Sequence, residues 1–143
     1  MSKVMVDTNV WVDIVLNRPD FVEESKGALM ACLEDGDKIL VAATSLKGIF
    51  YFAERSAGAD AAYRAVELVL DIATPAQVDA LVCRNALALE RPYYEDGIVA
   101  ACMTAERADA IVTRDEGSFN ALDVPKYSPR EFIADRGFEP IGL

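Results

Sequence analysis

Two kinds of apolar pattern alternate along this chain. Lys3–Val6 and Lys38–Ala43 are short, nearly unbroken apolar runs, as expected of strands buried on both faces. Between and after them, apolar positions recur at helical spacing. Val10–Leu16 predicts one or two helical turns, stopped near Asn17-Arg18-Pro19. Asp20 is placed to cap a helix reaching about Glu34, with Phe21, Ala28, Leu29, Cys32 and Leu33 on one face and Gly36 ending it. Thr44 or Ser45 opens a helix to about Arg55 that buries Leu46, Ile49, Phe50 and Ala53, and Gly58 separates it from a helix over Ala59–Leu70.

The second half continues the alternation. A brief strand is expected at Asp71–Ala73, and Thr74-Pro75 then opens a long helix with proline at its first position. Arg91-Pro92 breaks that helix, and Glu95-Asp96 opens the next, which runs to about Arg107. Ala110–Val112 is a fourth strand, followed by the loop Thr113–Ser118. A weak fifth strand lies near Val124–Tyr127, and Ser128-Pro129 starts a terminal helix. The fold class this predicts is α/β: a three-layer α/β/α sandwich with a central parallel sheet of 4–5 strands. Neither repeat nor linker interrupts it, so residues 1–143 are expected to form a single domain.

Composition narrows the chemistry more than the fold. Hydrophobic content of 52% with 27% charge is that of a globular chain. The longest nearly uncharged stretch, Ile39–Phe52, is too short to span a bilayer. The N-terminus runs straight into a strand without a signal-peptide pattern, so a cytoplasmic protein with no membrane partner is expected. Three scattered cysteines, Cys32, Cys83 and Cys102, form neither a disulfide framework nor a zinc motif. The chain has no histidine, which excludes Ser-His and Cys-His catalysis and disfavours zinc. What remains is carboxylate chemistry. The net charge of −10 opposes nucleic-acid binding, which draws on lysine and arginine, and suits a site that gathers Mg²⁺ or a basic partner.

Three aspartates stand where such chemistry would sit. In open parallel sheets, ligands bind beyond the carboxyl ends of the strands. Asp7 directly follows the first strand, and Asp115 follows the fourth after Thr113-Arg114. Asp96 lies in the first turn of the helix leading into that strand, which a right-handed crossover brings to the same end. Singly, they read as a turn residue, a helix cap and a loop aspartate. Together, with the first and fourth strands as neighbours, they form a carboxylate cluster whose repulsion a hard cation, Mg²⁺ or Mn²⁺, would relieve. A haloacid-type phosphatase would need an aspartate where Asn9 stands. A phospho-receiver would need paired acids after its first strand and an acceptor aspartate after its third, and the chain offers neither.

These residues carry a family resemblance. Val6-Asp7-Thr8-Asn9-Val10 resembles the opening of a PIN domain, and Tyr94-Glu95-Asp96-Gly97-Ile98-Val99-Ala100-Ala101 resembles its central helix start. Ala108 through Asp115, with Phe119 beyond, is similar to its last strand and Thr-Arg-Asp loop, and the likeness runs on to Tyr127-Ser128-Pro129-Arg130-Glu131-Phe132. The resemblance implies a sheet of order 3-2-1-4-5 and a metal-dependent ribonuclease, as in the toxin halves of VapBC-type toxin–antitoxin pairs. It carries Asp7, Asp96 and Asp115 over as metal ligands and catalytic residues, with Asn9 and Thr113 orienting carboxylates or water. Glu95 flanks Asp96 as a further acid near the site. RNA as substrate, a small antitoxin as partner and a homodimer are implied with it.

One departure stands out. The family usually carries a Glu or Asp early in the helix after the second strand, and here Gly48 falls there with Lys47 beside it. Glu54 is a poor substitute, lying about 9 Å further along the axis and over about 100° around it. The chain therefore has two readings: a nuclease with three aspartates, or a catalytically impaired domain that binds RNA or protein, with Lys47 partly replacing the cation. Lys47 and Arg114 are also the candidate RNA contacts, while Arg91 and Arg130 lie close enough in the pattern to meet phosphates.

Overall fold

A computed structural model describes residues 2–138. Its elements are β1 (Lys3–Val6), α1 (Thr8–Val15), α2 (Val22–Asp35), β2 (Lys38–Ala42), α3 (Ser45–Ala57), α4 (Ala59–Ile72) and β3 (Thr74–Ala76). They continue with α5 (Ala80–Asn85), a 3₁₀ turn at Ala86–Ala88, α6 (Tyr94–Glu106), β4 (Ala110–Val112), β5 (Lys126–Tyr127) and α7 (Pro129–Asp135). All sheet pairings are parallel, in the order β3-β2-β1-β4-β5. The expected order and the three-layer arrangement hold.

Strand side chains alternate between two cores, as the pleat requires. Val4, Val6, Ile39, Val41 and Val112 face the layer that holds Trp11, Leu29, Ile49 and Phe132. Met5, Leu40, Ala42 and Ile111 face the other, with Val82, Val99, Met103 and Phe119. Both faces of the central strands are thus covered, which is why their sequences are apolar throughout. Among the described residues, no helix is long and apolar enough to cross a membrane.

The edges of elements differ from expectation where a local signal has two meanings. The third strand is Thr74–Ala76 rather than Asp71–Ala73, so Pro75 lies in a strand and opens no helix. The sheet tolerates it because β3 is the edge strand, with β2 on one side only. The long helix expected after it is instead the short α5, capped by Asp79 accepting from the Val82 amide. Asp20 does not cap α2; the cap position is Phe21, without a side-chain bond. Gly36 does end α2, at φ +72, in the left-handed region that glycine enters without strain. The terminal helix opens on a full capping box between Ser128 and Glu131.

Candidate active site

The parallel register of the two central strands builds the site. Val6 pairs with Val112, so the next residues, Asp7 and Thr113, emerge side by side at the carboxyl end of the sheet. The Asp7 amide donates to the Val112 carbonyl at 3.0 Å, carrying the ladder one step past the strand. Asp7 then serves as the cap of α1, its Oδ1 accepting from the Thr8 amide at 2.8 Å. That is why α1 starts at Thr8, earlier than the apolar pattern indicates. Oδ2 accepts the Thr113 hydroxyl at 2.8 Å and a longer bond, 3.5 Å, from the Asn9 amide nitrogen.

Asn9 and Thr113 tie this corner together. The Thr113 hydroxyl spends its one proton on Asp7, and its oxygen accepts from the Asp115 amide at 3.0 Å and from Asn9 at 3.3 Å. The Asn9 side-chain oxygen accepts from the Arg114 amide at 3.1 Å. Asp7 is 6% exposed. Burial pushes its carboxyl up to about 6, the charges of Asp96 and Asp115 add to the shift, and the bonds from Thr113 and Thr8 oppose it.

Asp96 and Asp115 meet through a residue that the motifs do not mark. Ser118 Oγ lies 2.9 Å from Oδ2 of each. A hydroxyl has one proton, so it donates to one carboxylate at a time; the other contact is a hydrogen bond only when that carboxyl is itself protonated. Partial burial holds the Asp96 carboxyl above its ordinary range, the Ser118 bond opposes this, and Asp115, Glu90 and Glu95 reinforce it. The loop carrying Asp115 is held from below by Lys126, whose ammonium donates to the carbonyls of Asp115, Glu116 and Ser118. Gly117 donates its amide to Asp115 Oδ1 at 2.9 Å.

Asp7, Asp96, Asp115 and Glu95 line one cavity of about 510 Å³ together with Arg18, Lys47, Gly48, Tyr51 and Phe52. Gly48 sits in the first turn of α3. A Cβ there would meet only the Thr8 methyl, at an ordinary 3.5 Å, so the wall has room for a side chain. Lys47 is exposed on the same wall.

The donors present are carboxylate and hydroxyl oxygens, the set that hard divalent cations take. Among the described residues, however, no group of three or more His, Cys, Asp or Glu side chains is arranged to hold a metal directly. The two facts are compatible for Mg²⁺, which keeps several of its waters and needs only one or two carboxylates in contact.

Arg114 departs from its expected place at an RNA surface. Its Nε and Nη2 pair with Asp13 Oδ2 and Oδ1 at 2.6 and 3.0 Å, and its guanidinium lies 3.8 Å from the centre of the Phe21 ring. It is absent from the cavity wall, where Arg18 stands instead. Arg130 pairs with Glu24 at 2.9 Å, and Arg91 donates to the Leu87 carbonyl; neither lines the cavity. Asp13, Ser118, Lys126 and Arg18 went unmarked in the sequence. Only Asp13 left a signal, an acid inside the apolar helical run Val10–Leu16.

A sequence profile described as the PIN domain matches residues 3–117. The chain belongs to the PIN-domain family. Solved structures agree on the fold. VapBC2 from Rickettsia felis bound to a DNA fragment from their promoter has a TM-score of 0.70 at 16% identity, covering 88% of this chain and 98% of that one. VapBC-1 from nontypeable Haemophilus influenzae follows at 0.66 and 16%, covering 90% and 98%. VapC20 of Mycobacterium tuberculosis, a Sarcin-Ricin loop cleaving toxin, gives 0.60 at 17%, covering 96% and 98%. No curated protein matches the chain. The ends of β1 and β4 bring Asp7 and Asp115 to the cavity, the start of α6 brings Asp96, and the α3 residues lining it, Ser45, Lys47, Gly48, Tyr51 and Phe52, include no acid.

Proposed function

We propose that this PIN domain is an endoribonuclease that cleaves single-stranded or structured RNA with Mg²⁺ or Mn²⁺, acting as the toxin of a toxin–antitoxin pair. The observation that carries the reading is the gathering of Asp7, Asp96 and Asp115 on one cavity, with Asp7 buried at the cost of a raised pKa. Burying an acid among like charges is unfavourable for folding, so its presence is better explained by a cation to be held than by stability. A divalent ion held there supplies an activated water and charge stabilisation for phosphodiester cleavage. Asp7, Asp96 and Asp115 would hold it, one or two in direct contact and the rest through its retained waters, and Asn9, Thr113 and Ser118 keep those carboxylates oriented. Glu95 lines the cavity as a further acid, and Lys47 with Arg18, also in its lining, supplies positive charge that an RNA phosphate needs. The net charge of −10 suits a basic antitoxin, and fold neighbours solved as VapBC complexes support such a partner. A homodimer and a cytoplasmic setting belong to the same reading.

The bare α3 wall favours a second reading, a PIN domain that binds RNA or protein without cutting. One experiment separates them. Purified protein is incubated with a mixed RNA substrate, with and without Mn²⁺, beside Asp7→Asn. Cleavage that needs Mn²⁺ and disappears in the variant supports the nuclease. Cleavage undiminished by Asp7→Asn would discard the site, and absence of both cleavage and Mn²⁺ binding at millimolar levels leaves the binding module.

A further inference from the structure

We propose that Asp13 is a positioning residue of this site, setting through Arg114 where the Thr113–Asp115 turn presents Asp115 to the cavity. The inference rests on the metal-site reading above. Asp13 lies on α1 with its side chain fully buried, in an otherwise apolar run. A carboxylate in such a place is costly unless paired. Asp13 takes both prongs of Arg114, the Ser25 hydroxyl at 3.2 Å and Arg18 Nη1 at 3.4 Å.

A tie between α1 and the β4 loop does not by itself require an ion pair. The same core already joins them through Val10, Val12 and Val112, and well-packed apolar groups replace buried pairs at little cost. What the two-pronged pair adds is direction. Residue 114 is held at both ends, its guanidinium by Asp13 and the Phe21 ring, its amide by Asn9. Its two chain neighbours are Thr113, which bonds Asp7, and Asp115, which lines the cavity. One eight-residue helix therefore orients two of the three aspartates. Its start is capped by Asp7, and its middle grips the turn that bears Asp115.

The test compares Asp13→Asn, Arg114→Lys and, as a control, Ser25→Ala, which removes a bond to Asp13 but leaves the Arg114 fork. Amide exchange at Asp115 and Gly117 reads the turn without any metal, and Mn²⁺ affinity reads the site. Asp13→Asn is expected to speed exchange at both amides and to weaken Mn²⁺ binding by about 10-fold or more, as partners behind metal ligands do. Arg114→Lys should fall between it and the wild type, and Ser25→Ala should match the wild type. Exchange at these amides unchanged in Asp13→Asn overturns the proposal, as does an equal effect in Ser25→Ala. If Asp13→Asn does not fold, Arg114→Lys decides alone, and identity with the wild type counts against the proposal. A wild type that binds no Mn²⁺ refutes the metal-site reading instead, while the exchange data still judge the positioning role.

Discussion

The Thr113 hydroxyl donates to Asp7 Oδ2 at 2.8 Å, joining the carboxyl ends of the two central strands across 106 positions of sequence. This bond is the main local support for a buried carboxylate that burial alone makes harder to ionise. Thr113→Val keeps the shape and removes the bond. The Asp7 pKa should rise above its present value, and stability at neutral pH should fall by about 1–3 kcal/mol, since the Asp7 charge and the Asp115 amide both lose a partner. An NMR titration of the Asp7 carboxyl together with urea unfolding checks both.

Asp7 also sets a pH dependence. It ionises near 6 in the folded chain against 3.8 ordinarily. Between those values the folded state holds the proton that the unfolded chain has released, so stability falls as pH rises through about 4 to 6. Above 6 the full penalty applies, about 3 kcal/mol from the shift. Asp7→Asn, which keeps the cap on α1, should therefore raise stability at pH 7 by roughly 1–2 kcal/mol, part of the gain being lost with the Thr113 bond. The difference should shrink as pH falls and reverse toward pH 4, where the proton on Asp7 removes the penalty and only the lost Thr113 bond remains. Thermal melts of both proteins across that range measure it, and a wild type whose melting temperature is flat from pH 4 to 7 contradicts the assignment.

At Gly48, two substitutions separate helix energetics from chemistry. Gly48→Ala should stabilise the fold by roughly 0.5–1 kcal/mol, because the position is helical and the added Cβ meets only the Thr8 methyl. Gly48→Glu adds a carboxylate to the cavity wall and should tighten Mn²⁺ binding by about 10-fold, a second-order gain next to loss of Asp7. Calorimetry with Mn²⁺ reads this directly. Equal affinity in Gly48→Ala and Gly48→Glu means that the wall does not reach the ion.

Gly97 is the opposite case. A Cβ there would lie 2.5 Å from the Ala86 carbonyl oxygen and 2.8 Å from that of Leu89, both backbone atoms that cannot step aside alone. Gly97→Ala should cost about 1–3 kcal/mol by overpacking. It should also shift the first turn of α6, and Asp96 with it. Denaturant unfolding gives the cost, and chemical-shift changes centred on Asp96 and Ser118 show where the strain goes.

Much of the layout was legible in order along the chain. The apolar runs at β1, β2 and β4, the glycine stop at Gly36 and the Ser128 cap are local features, and local interactions produce them. Where a signal had two uses, tertiary context chose. Pro75 suits a helix start or an edge strand, and the free edge of β2 took it as a strand. Arg114 read as a phosphate contact beside an acid motif, yet a buried Asp13 claims its donors first, because an unpaired buried carboxylate is the greater cost.

By itself, the sequence determined most of the strands and helices, though not β3 or α5, that carboxylates carry any chemistry, and that Asp7, Asp96 and Asp115 are the candidates. Hydrophobic spacing and residue type are properties of neighbours in the chain, so they can be read there. Only the tertiary structure decided that Ser118 stands between Asp96 and Asp115, that Asp13 grips Arg114, and that Gly48 lines the same cavity as the acids, where a Cβ would meet only the Thr8 methyl. Those relationships depend on side-chain directions at the ends of paired strands, and no spacing along the chain encodes them.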